Sequence, residues 1–219
     1  MASGEEFARE LLQAQADRFA SLLEGVPEPL ALAAAMTARQ LATLVRAARA
    51  SYVLLVEGEP PPDTDGLDAA AVEQLAASLA SYRALNIAGA FGHTGQVEVV
   101  ERSPKVADGI RRAAERHALA EHVRVHSGKP PAVVHALNGP YDLVVLGGRW
   151  REYESMEEDL TRLIRIGGSL TIVNAAPLAA SEGREADGLR AFLSFLAADE
   201  RYLLSTGLDF EGVLAARIR

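Results

Sequence analysis

Small and charged residues follow four apolar runs of this chain, and a ligand could be held between them. They are Glu57, Gly58, Glu101, Ser127, Gly128, Lys129 and Gly147. A carboxylate such as that of Glu101 offers acceptors to two adjacent donors, and glycine lets a ligand approach the backbone closely. In open α/β sheets, ligands bind at the carboxyl ends of the strands. The pattern therefore predicts one crevice to which four strand ends contribute.

The four ends can meet only if the apolar runs are strands of one sheet. Such runs occupy residues 52–56, 96–100, 123–125, 143–146 and 169–173, the last after a glycine-pair turn at 167–168, and 84–90 is a weaker extended candidate. Helical spacing is found at 67–82, 104–117, 133–137, 154–164 and 188–197. Alternating strands and helices favour a parallel sheet covered on both faces. Residues 202–205 and 213–217 are predicted to pair as a final antiparallel hairpin.

The N-terminal region has a helical pattern of its own. Residues 5–23 place Phe7, Leu11 and Leu12 on one stripe, which we expect to cover a core or a partner subunit, and 30–50 is a second predicted helix. The length favours one domain over residues 1–219, with N-terminal helices in 1–50 and an α/β core in 51–219. The stripe also predicts a homodimer.

The composition of the chain limits the classes of molecule that it is expected to bind. The chain has 219 residues, 49% of them hydrophobic, and a net charge of -8, which argues against nucleic acid as the main partner. It has no cysteine, so a disulfide framework is excluded. No apolar run reaches the roughly 20 residues of a membrane span, and the first residues do not resemble a signal peptide. We therefore expect a cytoplasmic protein that does not contact a membrane.

The order of these segments resembles class I S-adenosylmethionine (SAM)-dependent methyltransferases, in particular small bacterial O-methyltransferases related to the catechol and caffeoyl-CoA enzymes. The segments that carry the resemblance are MTARQLATLVRAARASYVLLVEG, VEVVERSP, VRVHSGKP, YDLVVLGG, LIRIGGSLTIVN and DFEGVLAARIR. The resemblance implies a Rossmann-like methyltransferase fold, with a mostly parallel seven-stranded sheet, helices on both faces and an antiparallel C-terminal hairpin. It also implies that SAM is the cofactor and that a small molecule accepts the methyl group.

The resemblance assigns expected roles to the strand-end residues. Glu101 matches the acid that hydrogen-bonds both ribose hydroxyls in that family, and Ser127, Gly128 and Lys129 match the turn that contacts adenine. Glu57 and Gly58 match the start of the loop against the methionine end, and Gly147 follows the fourth strand. A solvated strand-end acid at Glu101 and an ordinary tight loop before Pro130 and Pro131 are the structural alternatives.

Two features depart from the family pattern. The glycine-rich loop after the first strand is replaced by Glu57-Gly58-Glu59-Pro60-Pro61-Pro62, in which three prolines remove amide donors. A second alignment places that loop at residues 85–94; we prefer the first because 67–82 then supplies the following helix, and the long separation of Glu57 from Glu101 predicts an extra element. The divalent-metal ligands of the catechol-type enzymes are also replaced, by Gly147 or Gly148 and by Val173 next to Asn174, so we expect no metal.

These residues lead to two main functional hypotheses. The first is metal-independent methyl transfer from SAM to an oxygen of a small molecule, with His93 as a weak candidate for a general base. The alternative is a catalytically inactive protein of the same fold that acts as a structural or regulatory dimer partner. A nicotinamide oxidoreductase is disfavoured because the first strand is not followed by a G-x-G-x-x-G sequence.

Overall fold

A computed structural model describes residues 16–58, 66–92, 94–148, 150–173, 175, 180–207 and 212–219. Residues 5–15 of the expected N-terminal helix and most of the proline-rich loop lie outside these ranges. The end of the expected helix is a short 3-10 turn, Ala20–Leu23. Among the residues described, no helix is long and apolar enough to cross a membrane.

Strands and helices alternate through the described chain. The strands are β1 (Tyr52–Val56), β2 (Gln96–Glu101), β3 (Val123–Ser127), β4 (Tyr141–Leu146), β5 (Ile164–Ile172), β6 (Tyr202–Gly207) and β7 (Gly212–Arg217). The α-helices are α1 (Glu28–Ala47), α2 (Ala69–Ala90), α3 (Pro104–Arg116), α4 (Pro130–Ala136), α5 (Glu157–Leu163) and α6 (Arg184–Ala198). Sequence signals set several of the helix starts: Asp68 caps α2 by accepting from the Ala71 amide at 2.7 Å, and Pro104 occupies the first turn of α3.

All seven strands form one sheet in the order β3-β2-β1-β4-β5-β7-β6. The first five run parallel to one another, and β7 pairs antiparallel with both β5 and β6. The predicted α/β fold, with its mostly parallel seven-stranded sheet and antiparallel C-terminal hairpin, is therefore confirmed. Residues 1–15 are outside the described ranges, so the division into one domain over 1–219 stays a prediction.

Two apolar cores lie on opposite faces of the sheet. One packs α1, α2 and α3 against alternate residues of β1, β2 and β4, and includes Leu41, Leu85 and Ile110. The other packs α4, α5 and α6 against the remaining alternate residues, and includes Leu146 and Phe192. Because both faces are covered, the central strands are apolar along most of their length, as expected for parallel strands.

The structure corrects the prediction for residues 84–90. They are the last turns of α2, which runs through 22 residues to Ala90, and they are not extended. Leu85, Ile87 and Ala90 are buried, and so are most of their neighbours, so this part of the helix is apolar all round and lacks the one-sided pattern of a surface helix. The alignment that placed a glycine loop at 85–94 is therefore wrong. Between residues 66 and 92 the described chain contains this one long helix, and the expected extra element between Glu57 and Glu101 stays a prediction for residues 59–65, which lie outside the described ranges.

The region before the last parallel strand also differs from the prediction. The expected helix over 154–164 is a 3-10 turn (Glu154–Met156) followed by α5, and β5 begins at Ile164 directly after it. Gly167 and Gly168 do not form a turn ahead of the strand, because they lie inside β5. Gly167 has a φ of +80°, and the register with β4 shifts in the same region, which identifies an irregularity in the strand pairing.

Polar side chains of four neighbouring parallel strands contact one another on one face of the sheet. Glu98 of β2 is 3% exposed, and its carboxylate accepts a hydrogen bond from the Tyr52 hydroxyl and lies 2.6 Å from His126 Nε2. The ring of Tyr141 stacks on that of Tyr52 at 4.6 Å between centroids. We call Tyr52, Glu98, His126 and Tyr141 the sheet-face cluster. It links β1, β2, β3 and β4 through residues that lie within the strands.

Candidate ligand crevice at the carboxyl edge

The ends of β2, β1 and β4 lie side by side at the carboxyl edge. The amide of Glu57 donates to Val100 O at 2.9 Å, the amide of Gly147 donates to Val56 O at 2.9 Å, and that of Gly128 donates to Glu101 O at 3.0 Å. Between β1 and β4 the direction of strand order reverses, which is the position where open α/β sheets form a crevice. We call the space above the ends of β2, β1 and β4 the central crevice. The structure thus brings together the predicted strand-end residues.

Glu101, the last residue of β2, is buried, with 4% of its surface exposed. Its Oε1 accepts from the Ser103 amide at 2.8 Å, in the turn where Ser103 caps α3. The pKa of Glu101 is raised from its ordinary value of 4.5 to about 7, mainly by burial. The hydrogen bond from the Ser103 amide opposes the rise, and the nearby Glu57 carboxylate contributes to it. The Glu101 carboxyl group is therefore expected to gain or lose its proton near neutral pH.

Glu57 forms a buried ion pair with Arg83 of α2. Both carboxylate oxygens lie 2.6 Å from the same guanidinium nitrogen, and the two side chains are 7% and 14% exposed. Gly147 leaves the room for this pair, because a β-carbon there would be 2.9 Å from Arg83 Nη1. The pair fills the space between the ends of β1 and β4, so the Glu57 carboxylate is already neutralised before any ligand binds.

Gly58 continues β1 into the crevice with a φ of +113°, a conformation that favours glycine. A β-carbon at this position would lie 3.4 Å from Arg102 Cβ and 3.9 Å from Pro130 Cγ. On the other side of β2, Ser127 and Lys129 are exposed, while Gly128 has a φ of +156° at the start of α4. These residues border the outer part of the crevice and leave their side chains or backbone accessible to solvent.

Arg102 and Glu152 form a second ion pair at this edge. The Arg102 Nη2 donates to Glu152 Oε1, and the side chains are 28% and 20% exposed. Glu152 lies in a 3-10 turn, Trp150–Glu152, that α6 holds in place, since a β-carbon at Gly188 would be 2.7 Å from Arg151 Cα. The Tyr153 hydroxyl accepts from the Gly148 amide at 2.9 Å and fixes the same segment to the end of β4.

Neither ion pair was predicted from the sequence. The partners are separated by 26 positions in one pair and by 50 in the other, and no local pattern reveals such contacts. One signal was available for Arg83, which is a single charge within the apolar stretch ASLASYRALNIAGA. A lone charge in a segment that is otherwise buried requires a partner, and an acid at a strand end is the natural one.

Two predicted residues lie outside the described part of the chain: His93 and Asn174. The proposed role of His93 as a general base stays a prediction. Within the described ranges, no group of three His, Asp or Glu side chains is arranged to hold a metal ion. Gly147 and Gly148 after β4 and Val173 after β5 contribute no side-chain oxygen.

No protein-family model and no curated protein sequence matches the chain. Solved structures do match its fold. A Klebsiella pneumoniae protein assigned to the O-methyltransferases superposes with a TM-score of 0.74 at 18% identity, over 97% of this chain and 96% of the other. The Bacillus cereus O-methyltransferase in complex with S-adenosylhomocysteine (SAH) gives 0.65 at 20% identity, over 100% and 92%. TomG, an O-methyltransferase of tomaymycin synthesis from Streptomyces achromogenes, in complex with SAM, gives 0.69 at 15% identity, over 100% of both chains. At these identities the likeness establishes the fold.

Proposed function

We propose that the protein binds SAM in the central crevice and transfers its methyl group to an oxygen atom of a small molecule. The observation that carries the proposal is the position of Glu101, a buried carboxylate at the end of β2 next to the strand-order reversal. Support also comes from the full-length match in fold to O-methyltransferases whose structures contain SAM or SAH.

In this proposal each group of strand-end residues contacts a different part of the cofactor. Glu101 accepts hydrogen bonds from the two ribose hydroxyls, a role that suits a carboxylate with two oxygens. Ser127, Gly128 and Lys129 border the adenine. Gly58 and Gly147 allow the backbone to approach the methionine end, and Glu57, held by Arg83, forms the floor beneath it.

Bound SAM supplies an electrophilic methyl carbon on a sulfonium ion. Transfer breaks the carbon–sulfur bond, forms a carbon–oxygen bond and releases SAH together with the proton of the acceptor hydroxyl. The contribution of the chain is to align the acceptor oxygen with the methyl carbon and to exclude water from between them. We propose that no metal takes part, because glycine and valine replace the oxygen ligands that such an ion needs after β4 and β5.

Calorimetric titration with SAH tests the proposal. Wild-type protein is expected to bind with micromolar affinity, and Glu101→Ala is expected to abolish the heat of binding. The matched control is Glu121→Ala, which removes an exposed acid from the opposite end of β3. Absence of binding by folded wild-type protein would overturn the proposal and favour the inactive alternative. Transfer of a labelled methyl group from SAM to a panel of small hydroxylated molecules then identifies the acceptor.

We further infer a homodimer in the cytoplasm. The support for a dimer is the apolar stripe of Phe7, Leu11 and Leu12, together with exposed apolar residues on the C-terminal strands, of which Leu203 is 65% exposed. Light scattering coupled to size-exclusion chromatography measures the mass of the particle. A monomer mass at micromolar concentration would contradict the dimer.

A further inference from the structure

The ion pair between Arg102 and Glu152 spans the central crevice. Arg102 directly follows β2, and Glu152 follows β4, while β1 lies between these two strands in the sheet. A β-carbon at Gly58, which follows β1, would lie 3.4 Å from Arg102 Cβ. The pair therefore lies above the end of β1, where the proposed function puts the methionine end of SAM.

Each partner of this pair leaves one buried polar atom without a hydrogen bond. The pair uses Nη2 of Arg102 and Oε1 of Glu152, whereas Nε of Arg102 and Oε2 of Glu152 have no partner and no exposure to water. A buried polar group without a hydrogen bond destabilises the protein, because it has lost its contact with water and gained no partner. An arginine–carboxylate pair normally avoids this cost by forming two parallel hydrogen bonds. This one-sided contact leaves a donor and an acceptor for other groups.

The other charged pair of the crevice is not able to take up a ligand in the same way. Both oxygens of Glu57 are bound by Arg83, the pair is largely buried, and Gly147 packs directly against it. Separating two such charges leaves each one buried without a partner, which is strongly unfavourable. Arg102 and Glu152 are more exposed, and each can exchange its partner at smaller cost.

We propose that Arg102 and Glu152 separate on ligand binding and hold the two ends of the amino-acid zwitterion. The guanidinium group of Arg102 binds the α-carboxylate, and the carboxylate of Glu152 binds the α-ammonium group. Each charge in the protein exchanges one opposite charge for another, and the orphaned Nε and Oε2 atoms gain partners. The inference rests on the proposed function, because it concerns the amino-acid end of SAM and SAH.

A comparison of two ligands distinguishes recognition of the zwitterion by Arg102 and Glu152 from a general effect of these residues on the shape of the crevice. SAH carries the zwitterion, whereas 5′-methylthioadenosine has the same nucleoside and thioether but no amino-acid group. Titration of both into wild-type protein, Arg102→Met and Glu152→Gln gives the contribution of each side chain to each ligand. We expect both variants to bind SAH at least tenfold more weakly and to bind methylthioadenosine within about twofold of wild type. Glu73→Gln, which breaks the exposed Lys105 pair, is the control and is expected to change neither affinity.

The outcomes are distinct. Equal loss of affinity for both ligands in the variants overturns the inference, because the pair would then affect the shape of the crevice without binding the zwitterion. A gain for both ligands also overturns it and identifies the pair as a barrier only. If wild-type protein binds neither ligand, the proposed function fails and the inference fails with it. Urea unfolding of each variant establishes that a loss of affinity does not come from loss of the fold.

Discussion

Gly147 lies directly against Arg83, although 64 positions separate the two residues in the sequence. A β-carbon on Gly147 would be 2.9 Å from Arg83 Nη1 and 3.2 Å from the Glu57 carboxylate. Because Gly147 has no side chain, it leaves the space at the end of β4 that the buried ion pair occupies. A small side chain at this position is required by the floor of the crevice, independently of any ligand.

The first prediction concerns Gly147→Ala. The added methyl group would displace the guanidinium from Glu57, so the free energy of unfolding should fall by about 1–3 kcal/mol. Urea unfolding followed by circular dichroism measures it. Gly92→Ala is the control, because a β-carbon there has no heavy atom within 4 Å. Equal stability of both variants would show that the pair tolerates the methyl group.

The second prediction is that Arg83→Met destabilises the protein by about 3 kcal/mol, because it leaves the Glu57 carboxylate buried without its partner. The double variant Arg83→Met/Glu57→Gln should recover part of that loss, since the unpaired charge is gone. Chemical unfolding at pH 7 measures both. Lys105→Met breaks a pair with exposed side chains and should cost less than about 1 kcal/mol. A single variant no worse than this control would contradict the role of the pair.

Much of the fold follows from the apolar patterns, and the failures have a common cause. Residues 52–56 and 96–100 were predicted as strands because uninterrupted apolar runs are typical of buried parallel strands, and both are confirmed. The same property misled the prediction for 84–90, where Leu85 and Ile87 belong to a helix buried on all sides. When every side of an element is apolar, the pattern no longer reports its period.

The neighbouring positions of the strand ends could also be predicted, but the ion pairs formed there could not. Glu57, Glu101 and Gly147 lie at neighbouring strand ends as expected, because strand ends are visible in the sequence. The engagement of Glu57 by Arg83 depends on how α2 crosses the sheet. The contact of Arg102 with Glu152 depends on the 3-10 turn that α6 supports. Such contacts are set by tertiary packing, which residue spacing does not encode.

The third prediction concerns stability as a function of pH. The pKa of Glu101 is 4.5 in an ordinary environment and about 7 in the folded protein, so the unfolded chain loses this proton at lower pH. The contribution of Glu101 to stability is therefore largest below about pH 4.5 and declines as the pH rises through 7. Glu101→Gln removes the decline, and relative to wild type it should be more stable at pH 8 than at pH 5 by about 2 kcal/mol. A difference that does not change with pH would contradict the raised pKa.

The fourth prediction is a pH-dependent affinity for SAH. If the ribose hydroxyls donate to Glu101, they favour its charged form, and binding must release a proton wherever the free carboxyl is still protonated. Affinity should therefore rise from pH 6 to pH 8, by up to about tenfold for each pH unit below the free pKa. Titration in two buffers of different ionisation heat also counts the released protons. Affinity and proton release that stay flat across this range would argue against the ribose contact.

The fifth prediction is that Gly188→Ala destabilises the protein even though alanine favours helices. The substitution gains up to about 1 kcal/mol in helix propensity. The new methyl group, however, would lie 2.7 Å from Arg151 Cα and 2.9 Å from its amide nitrogen, and backbone atoms cannot rotate away. We expect a net loss of about 2 kcal/mol in urea unfolding. Ala191→Gly, at an exposed position of α6, measures the propensity effect alone.

The sheet-face cluster has a consequence for how this protein could change over evolutionary time. Its contacts join β1, β2, β3 and β4 through Tyr52, Glu98, His126 and Tyr141, all of which lie within strands. Insertions and substitutions in the loops at the carboxyl edge therefore leave these contacts in place. We expect new acceptor specificities to arise by changes in those loops while the sheet keeps its structure.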